Sequence, residues 1–230
     1  MQDVRAQIDT TRARLRAAVV AIAPVLLLAG FAYHPFLDHP TDPATIGAAA
    51  AADTTRWGLA HLAIAVGYGF TVVAFIAIRS YLREAGEAGE ERWSMVALPF
   101  IVMGSTLFAV LTGMEFAPLA AAEAGADAEA AQAALIPRFV PILLTGGISF
   151  AIGALSFAAG IAGSGIMSPA ATRLVVVALV VMAAARFIPL SAAPYVIAVG
   201  GILALWPLAY VMWTHPRSRS AELSRLLPAT

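Results

Sequence analysis

The sequence contains no cysteine and no lysine, and it has few charged residues. The absence of cysteine excludes disulfides, thiolate nucleophiles, iron–sulfur clusters and cysteine-ligated metals. The absence of lysine excludes Schiff-base chemistry, and with it a retinal protein of the usual kind. The 14 arginines balance the 14 acidic residues, so the chain lacks the excess of positive charge that nucleic-acid binding requires.

Apolar residues dominate the composition. They make up 60% of the 230 residues, and charged residues make up 12%, about half of the fraction that soluble domains carry. The mean hydropathy is +0.83, and several apolar runs reach about 18 residues or more, the length that crosses a bilayer. The sequence therefore predicts an all-α integral membrane bundle of six transmembrane helices at 17–36, 57–79, 95–119, 139–161, 173–188 and 195–213. This domain, 17–213, lies between a basic cytoplasmic segment, 1–16, and a polar tail, 214–230.

The first apolar run also fits a second interpretation. A basic start, an apolar core and the small-residue end Gly30-Phe31-Ala32 are typical of a signal peptide. Because the run is long enough to span a bilayer, we expect it to be the first transmembrane helix.

The distribution of arginine predicts the orientation, because short cytoplasmic loops are enriched in basic residues. With the N-terminus inside, eleven arginines fall on the cytoplasmic side and three, Arg56, Arg138 and Arg186, fall outside. Aromatic residues are placed to mark both interfaces: Tyr33, Trp57 and Tyr195 outside, and Tyr81, Trp93, Tyr210 and Trp213 inside. We therefore expect both termini in the cytoplasm and the protein in a bacterial cytoplasmic membrane.

The connections between the predicted helices are too short for a soluble domain. None exceeds about 20 residues, so any site lies within the membrane or at its edge. The connection 37–56 is predicted as an acidic loop rich in proline and alanine, and 122–137 as an alanine- and glutamate-rich stretch with a short surface helix. The second of these divides the chain into three plus three helices, which is compatible with an inverted transporter repeat.

Small residues on the fourth predicted helix form a candidate packing face. Ser149, Gly153, Ser156 and Gly160 recur at steps of four, three and four residues. In lipid, small side chains let helix backbones approach closely, and we interpret this face as a helix–helix contact. The alternative is a flexible helix that lines a path, with the diglycine one turn earlier as its weak point.

Ionisable residues reach a similar depth on four predicted helices. At about 1.5 Å per residue, His34, His61, Glu115 and Arg186 all fall near the outer side of the membrane. Such residues are costly in a bilayer and usually face the bundle interior or pair with one another. We take these four, and Tyr68 on the same face as His61, as candidates for binding a ligand or a proton. We expect Glu115 and Arg186 to form a structural ion pair.

A metal or a haem is a further interpretation of the same residues. The sequence has no HExxH, Walker or GxSxG motif and no GxGxxG after a strand, so no enzyme class is indicated. His34, His61 and Glu115 form an acceptable ligand set for zinc, iron or copper. Two histidines at one depth could also hold a haem. The spacing does not decide, because the three residues come from different helices.

Three short patterns accompany these candidates: YHP closes the first predicted helix, W-x3-H opens the second, and Glu115 precedes Pro118 at the end of the third. With these patterns the chain resembles a loose group of small, uncharacterised multi-pass bacterial membrane proteins. The resemblance covers all six spans in hydropathy. Because no established activity accompanies the group, the resemblance implies the architecture and no function.

Three functions stay open at this point. In the first, a non-enzymatic membrane protein binds or conducts a small solute, a proton or an ion at the outer cluster. In the second, a structural or accessory subunit of a homo-oligomer or larger membrane complex uses the cluster only to lock its helices. In the third, a haem- or metal-dependent redox or hydrolytic protein uses His34 and His61. The lipid bilayer is a partner in all three.

Overall fold

The computed structural model describes residues 2–85, 88–188 and 190–215. These residues form α-helices and no strand, so the predicted all-α class is confirmed for them. In chain order the helices are α1 (Gln2–Tyr33), α2 (Pro43–Ala52), α3 (Thr54–Ala85), α4 (Ala88–Met114), α5 (Phe116–Glu123), α6 (Ala128–Gly163), α7 (Pro169–Ala185) and α8 (Ala193–Thr214). The predicted tail lies outside the described residues from residue 216 onward.

Several helices have the length and composition that cross a membrane. The candidate spans are Thr10–Tyr33, Thr54–Glu84, Arg92–Glu123, Ala128–Gly163 and Ala193–Thr214. Helix α7, at the position of the predicted span 173–188, is apolar but has only 17 residues. The described part of the chain thus has the helices of a multi-pass membrane protein, with five rather than six candidate spans by length and composition.

Six helices pack in a closed ring in chain order. Helix α1 contacts α3, α3 contacts α4, α4 contacts α6, α6 contacts α7, α7 contacts α8, and α8 returns to α1. The main core lies between them, and Phe75, Phe150 and Phe157 are fully buried in it. Because helices that follow one another in the chain are neighbours in space, short connections suffice.

Helices α4 and α6 approach closely where α6 carries small residues. A Cβ atom on Gly153 would lie 2.8 Å from the backbone nitrogen of Ile101. Of the predicted packing face, Ser149, Gly153 and Gly160 are buried and Ser156 is half-buried. Gly153 therefore lies where one helix backbone contacts another, as small residues do between membrane helices.

The two helices that end next to candidate ligands, α1 and α4, stop earlier than predicted, each because of a proline. Helix α1 stops before His34, since the residue that precedes a proline, here Pro35, disfavours the helical conformation. Helix α4 stops at Met114, because Pro118 has no N–H to donate to the carbonyl oxygen of Met114. These breaks put His34 and Glu115 in turns rather than inside helices.

Two predicted connections contain more helix than expected. In the first, Asp42 caps α2 by accepting a hydrogen bond from the backbone N–H of Thr45 at 3.1 Å, and Pro43 takes the first helical position. In the connection 122–137, Asp127 caps α6 by accepting a hydrogen bond from the backbone N–H of Ala130 at 2.9 Å. Helix α6 therefore begins at residue 128 rather than 139, and no separate surface helix fills the connection.

The short helices α2 and α5 cover one end of the ring. They contact each other and α6, and they build a second, smaller core from Ile46, Ala50, Trp57 and Leu119. At this end α1 stops, α3 begins and α4 stops. The three segments that carry candidate ligands converge here.

Candidate metal centre

Three of the predicted candidates meet at this end of the ring. His34 follows α1, His61 lies in the second turn of α3, and Glu115 occupies the turn between α4 and α5. One ligand atom from each side chain lies within 4.8 Å of the other two. The helix breaks before Pro35 and Pro118 release His34 and Glu115 from their helices and allow them to face α3.

His61 is buried between a backbone carbonyl and a carboxylate. Its Nδ1 donates a hydrogen bond to the carbonyl oxygen of Trp57 at 2.7 Å, and since a carbonyl oxygen only accepts, Nδ1 carries the proton. Its Nε2 contacts Oε2 of Glu115. Because only 2% of His61 is exposed, solvent does not compete for this contact.

The Nδ1 atom of His34, like that of His61, donates to a backbone carbonyl oxygen. Its Nδ1 donates to the carbonyl oxygen of Pro35 at 2.7 Å, which leaves Nε2 with a lone pair in the neutral ring. His34 lies just beyond the apolar span Thr10–Tyr33. Burial first, and then repulsion from His61, lowers the pKa of His34 below its ordinary value. The ring is therefore neutral at neutral pH, which is the form that ligates metals.

Trp57 contacts all three candidate ligands. It is fully buried, and its indole Nε1 donates to the carbonyl oxygen of Glu115 at 3.0 Å. Its ring centroid lies 4.5 Å from that of His61 and 4.9 Å from that of His34. The side chain of Trp57 therefore packs against the candidate ligands and not against lipid. The W-x3-H spacing contained the signal for its role, because residues four apart lie on the same helix face.

Arg56 ties the start of α3 to the end of α1. Its Nε donates to the carbonyl oxygen of Tyr33 at 2.7 Å, and its Nη2 donates to that of His34 at 3.5 Å. Its guanidinium carbon lies 5.8 Å from the ring centroid of Tyr33, within the range of a cation–π interaction. Arg56 therefore holds the backbone that carries His34.

The three side chains suit a metal ion. Two imidazole nitrogens and one carboxylate oxygen form a common zinc ligand set that leaves one coordination position open. Metal-ligating histidines almost always donate their other ring N–H to a carbonyl or carboxylate oxygen, as His34 and His61 do through Nδ1. Ligand atoms about 2.0–2.2 Å from an ion lie closer together than 4.8 Å, so binding requires a small contraction of the cluster.

A haem does not fit between the two histidines. Their rings are in edge-to-face contact, with centroids 4.8 Å apart and an interplanar angle of 61°. Two axial ligands enclose the porphyrin between them, and this contact leaves no space for one. The cavity beside His34 is also small, with a volume of about 80 Å³. His34 and His61 therefore do not form a bis-histidine haem site in this arrangement.

Arg186 and Tyr68 lie apart from this cluster. Tyr68 is seven residues beyond His61 on α3, about 10 Å along the helix axis. The guanidinium carbon of Arg186 lies 5.8 Å from the ring centroid of Tyr68 and 3.6 Å from that of Phe150. Its nitrogens have no hydrogen-bond partner among the described residues. The predicted ion pair between Glu115 and Arg186 is wrong, because equal depth does not make two residues neighbours around the ring.

The chain matches no model of a known protein family, no curated protein and no solved structure.

Proposed function

We propose that this multi-pass membrane protein binds one divalent transition-metal ion at His34, His61 and Glu115, with Zn²⁺ as the first ion to test. The observation that supports the proposal is the convergence of the three ligand atoms within 4.8 Å of one another. Both histidines donate Nδ1–H to a backbone carbonyl oxygen, which makes Nε2 the available ligand atom of each ring.

The ion would lie between Nε2 of His61 and Oε2 of Glu115, which are in direct contact. Metal binding requires neutral imidazoles and an ionised carboxylate, and it releases protons. With three protein ligands, one coordination position stays open for water or a small solute. This function combines the ion-binding form of the first hypothesis with the metal-binding form of the third, and it requires no catalytic motif.

We further propose that all six helices of the ring cross a bacterial cytoplasmic membrane, with both termini in the cytoplasm. Helix α7 has 17 residues, the lower end of the range that spans a bilayer, and it takes its place in the ring between α6 and α8. With six crossings, eleven arginines lie inside and three outside, in agreement with the positive-inside rule. The metal site then lies toward the outer side.

A structural role is the second candidate function, because the same residues already connect three chain segments without an ion. Trp57 bonds to the turn that carries Glu115, and Arg56 bonds to the end of α1. A purely structural cluster would stabilise the bundle and hold no metal. The metal content of the purified protein separates the two functions.

Elemental analysis together with a cobalt titration tests the proposal. Protein purified in mild detergent and dialysed against Zn²⁺ is expected to retain about one zinc per chain. Addition of Co²⁺ to the metal-free protein is expected to produce visible d–d absorption bands. His61→Gln is expected to abolish both signals. His39→Gln is the matched control, since His39 is an exposed histidine outside the cluster.

The outcomes are distinct. Equal zinc content in the wild type and in His61→Gln would reject the proposed site. A wild type that binds neither ion, together with a lower melting temperature for His61→Gln than for His39→Gln, would support the structural role.

A further inference from the structure

A second cavity adjoins the one beside His34 and shares Phe31, Pro40, Leu190 and Pro194 with it, but none of the three candidate metal ligands lines it. It has a volume of about 420 Å³, within the range of pockets that hold small organic molecules. Apolar side chains form most of its wall, among them Phe31, Phe139, Leu143 and Ile197. Arg186 is the one charged residue among the described residues that line it.

The guanidinium group of Arg186 makes no hydrogen bond within the described part of the chain, and the hydroxyl of Tyr68 is the polar group that interacts with it. Its Nε, Nη1 and Nη2 are buried and have no hydrogen-bond partner among the described residues. Its central carbon lies 3.6 Å from the ring centroid of Phe150, 4.3 Å from that of Phe108 and 5.8 Å from that of Tyr68. Aromatic faces attract the cation but accept none of its N–H groups in an ordinary hydrogen bond. A buried charge with its donors unsatisfied is costly, which favours an acceptor other than the described residues.

We propose that this cavity binds a single-chain amphipathic carboxylate of the fatty-acid class. Its head group would accept hydrogen bonds from Arg186, and its apolar chain would lie against Phe139, Leu143 and Ile197. The planar guanidinium matches a carboxylate in a bidentate pair. One cation in an otherwise apolar lining fits a ligand with one anionic group on an apolar body.

The volume of the cavity, about 420 Å³, favours a single-chain molecule over a membrane phospholipid, because it is too small for two acyl chains. Arg186 directly follows the last residue of α7 and therefore lies at the outer end of that helix in the proposed topology. A carboxylate paired with it would lie near the membrane edge, and its one acyl chain would extend along the apolar wall. The exposed side chains of Leu144 and Phe187 form the lipid-facing part of the wall, and a single acyl chain can enter there.

Photo-crosslinking in nanodiscs of phosphatidylcholine tests this proposal. A diazirine-bearing fatty acid is expected to label residues of the cavity wall, and unlabelled dodecanoate is expected to compete for that labelling. Dodecanol, which has the same chain and no charge, is expected to compete at least tenfold more weakly. Arg186→Gln is expected to weaken dodecanoate binding about ten- to a hundredfold, because hydrogen bonds to charged groups typically contribute that much. Arg138→Gln is the control, since Arg138 is an exposed arginine that does not line the cavity.

A variant that keeps Arg186 covers the case in which Arg186→Gln does not fold. Leu144→Trp adds bulk to the cavity wall at a side chain that is 51% exposed, and it is expected to reduce labelling while Arg186 stays in place. Equal competition by dodecanol and dodecanoate would overturn the proposal, as would wild-type labelling in both Arg186→Gln and Leu144→Trp. Competition by phosphatidylglycerol as strong as that by dodecanoate would also overturn it, and would assign the cavity to a lipid head group.

Discussion

The indole Nε1 of Trp57 lies 3.0 Å from the carbonyl oxygen of Glu115 and donates a hydrogen bond to it. The carbonyl oxygen of the same tryptophan accepts a hydrogen bond from Nδ1 of His61 at 2.7 Å. One residue of α3 thus orients a candidate ligand on its own helix and another at the end of α4. Trp57 has no ligand atom of its own, yet the geometry of the site depends on it.

Replacement of Trp57 by phenylalanine is expected to weaken zinc binding without removing a ligand. Phenylalanine retains a buried aromatic ring but has no N–H for the carbonyl oxygen of Glu115. Loss of an outer-shell partner of a metal ligand typically lowers metal affinity about 10–100-fold. Loss of this hydrogen bond is also expected to lower the free energy of unfolding by about 0.5–1.5 kcal/mol. Isothermal titration of the metal-free protein with Zn²⁺ measures the affinity.

Trp206→Phe is the matched control for this substitution. The indole of Trp206 donates to the carbonyl oxygen of Ala21 at 3.1 Å, so the same chemical change removes one indole–carbonyl hydrogen bond between α8 and α1, at a side chain that is 49% exposed. Zinc affinity is expected to stay at the wild-type value. Equal losses of affinity in Trp57→Phe and Trp206→Phe would show that Trp57 acts through general stability and not through the ligands.

Double-mutant cycles are expected to find coupling between Glu115 and His61 and none between Glu115 and Arg186. Glu115 and His61 are in direct contact, so their substitutions by glutamine share a partner and are expected to deviate from additivity by about 0.5–3 kcal/mol. Glu115→Gln and Arg186→Gln are expected to add within about 0.5 kcal/mol. The measurement is the free energy of unfolding of the metal-free protein in detergent. A large coupling of Glu115 with Arg186 would contradict the arrangement described here.

The depth of the candidate residues could be predicted from the sequence. Hydropathy marks the apolar spans, and each helical residue adds about 1.5 Å along the axis. On that basis His34, His61 and Glu115 belong at one level, and the structure brings them together. Depth does not define the position around a bundle, and for this reason Arg186 contacts Phe150 rather than Glu115.

A few neighbouring residues determine where each helix begins and ends, and mean hydropathy does not detect these positions. The apolar run continues through the turn at Glu115, so a window of average hydropathy passes over the break that Pro118 causes. Asp42 followed by Pro43 is a helix start signal inside a stretch that reads as a loop. The contact between Trp57 and the carbonyl of Glu115 joins residues far apart in the chain, and no local pattern predicts it.

Gly153 is expected to tolerate no side chain, whereas Gly69 is expected to accept one. A Cβ atom on Gly153 would lie 2.7 Å from Cγ1 of Ile101 and 3.0 Å from the carbonyl oxygen of Ala97. Gly153→Ala is therefore expected to lower the free energy of unfolding by about 1–3 kcal/mol. A Cβ atom on Gly69 would have no neighbour within 4 Å, and Gly69→Ala is expected to be neutral or to stabilise by up to about 1 kcal/mol. Equal melting temperatures of the two variants would contradict close packing of α4 against α6.

Replacement of Pro118 by alanine tests whether the break after Met114 creates the metal site. Alanine restores an N–H that can donate to the carbonyl oxygen of Met114, so α4 is expected to continue through Glu115. The carboxylate of Glu115 would then turn away from His61, and zinc affinity is expected to fall about tenfold or more. Pro99→Ala is the control, since Pro99 lies inside α4 and its loss leaves the turn intact. Calorimetric titration with Zn²⁺ compares the two variants, and wild-type affinity in Pro118→Ala would show that the proline does not position Glu115.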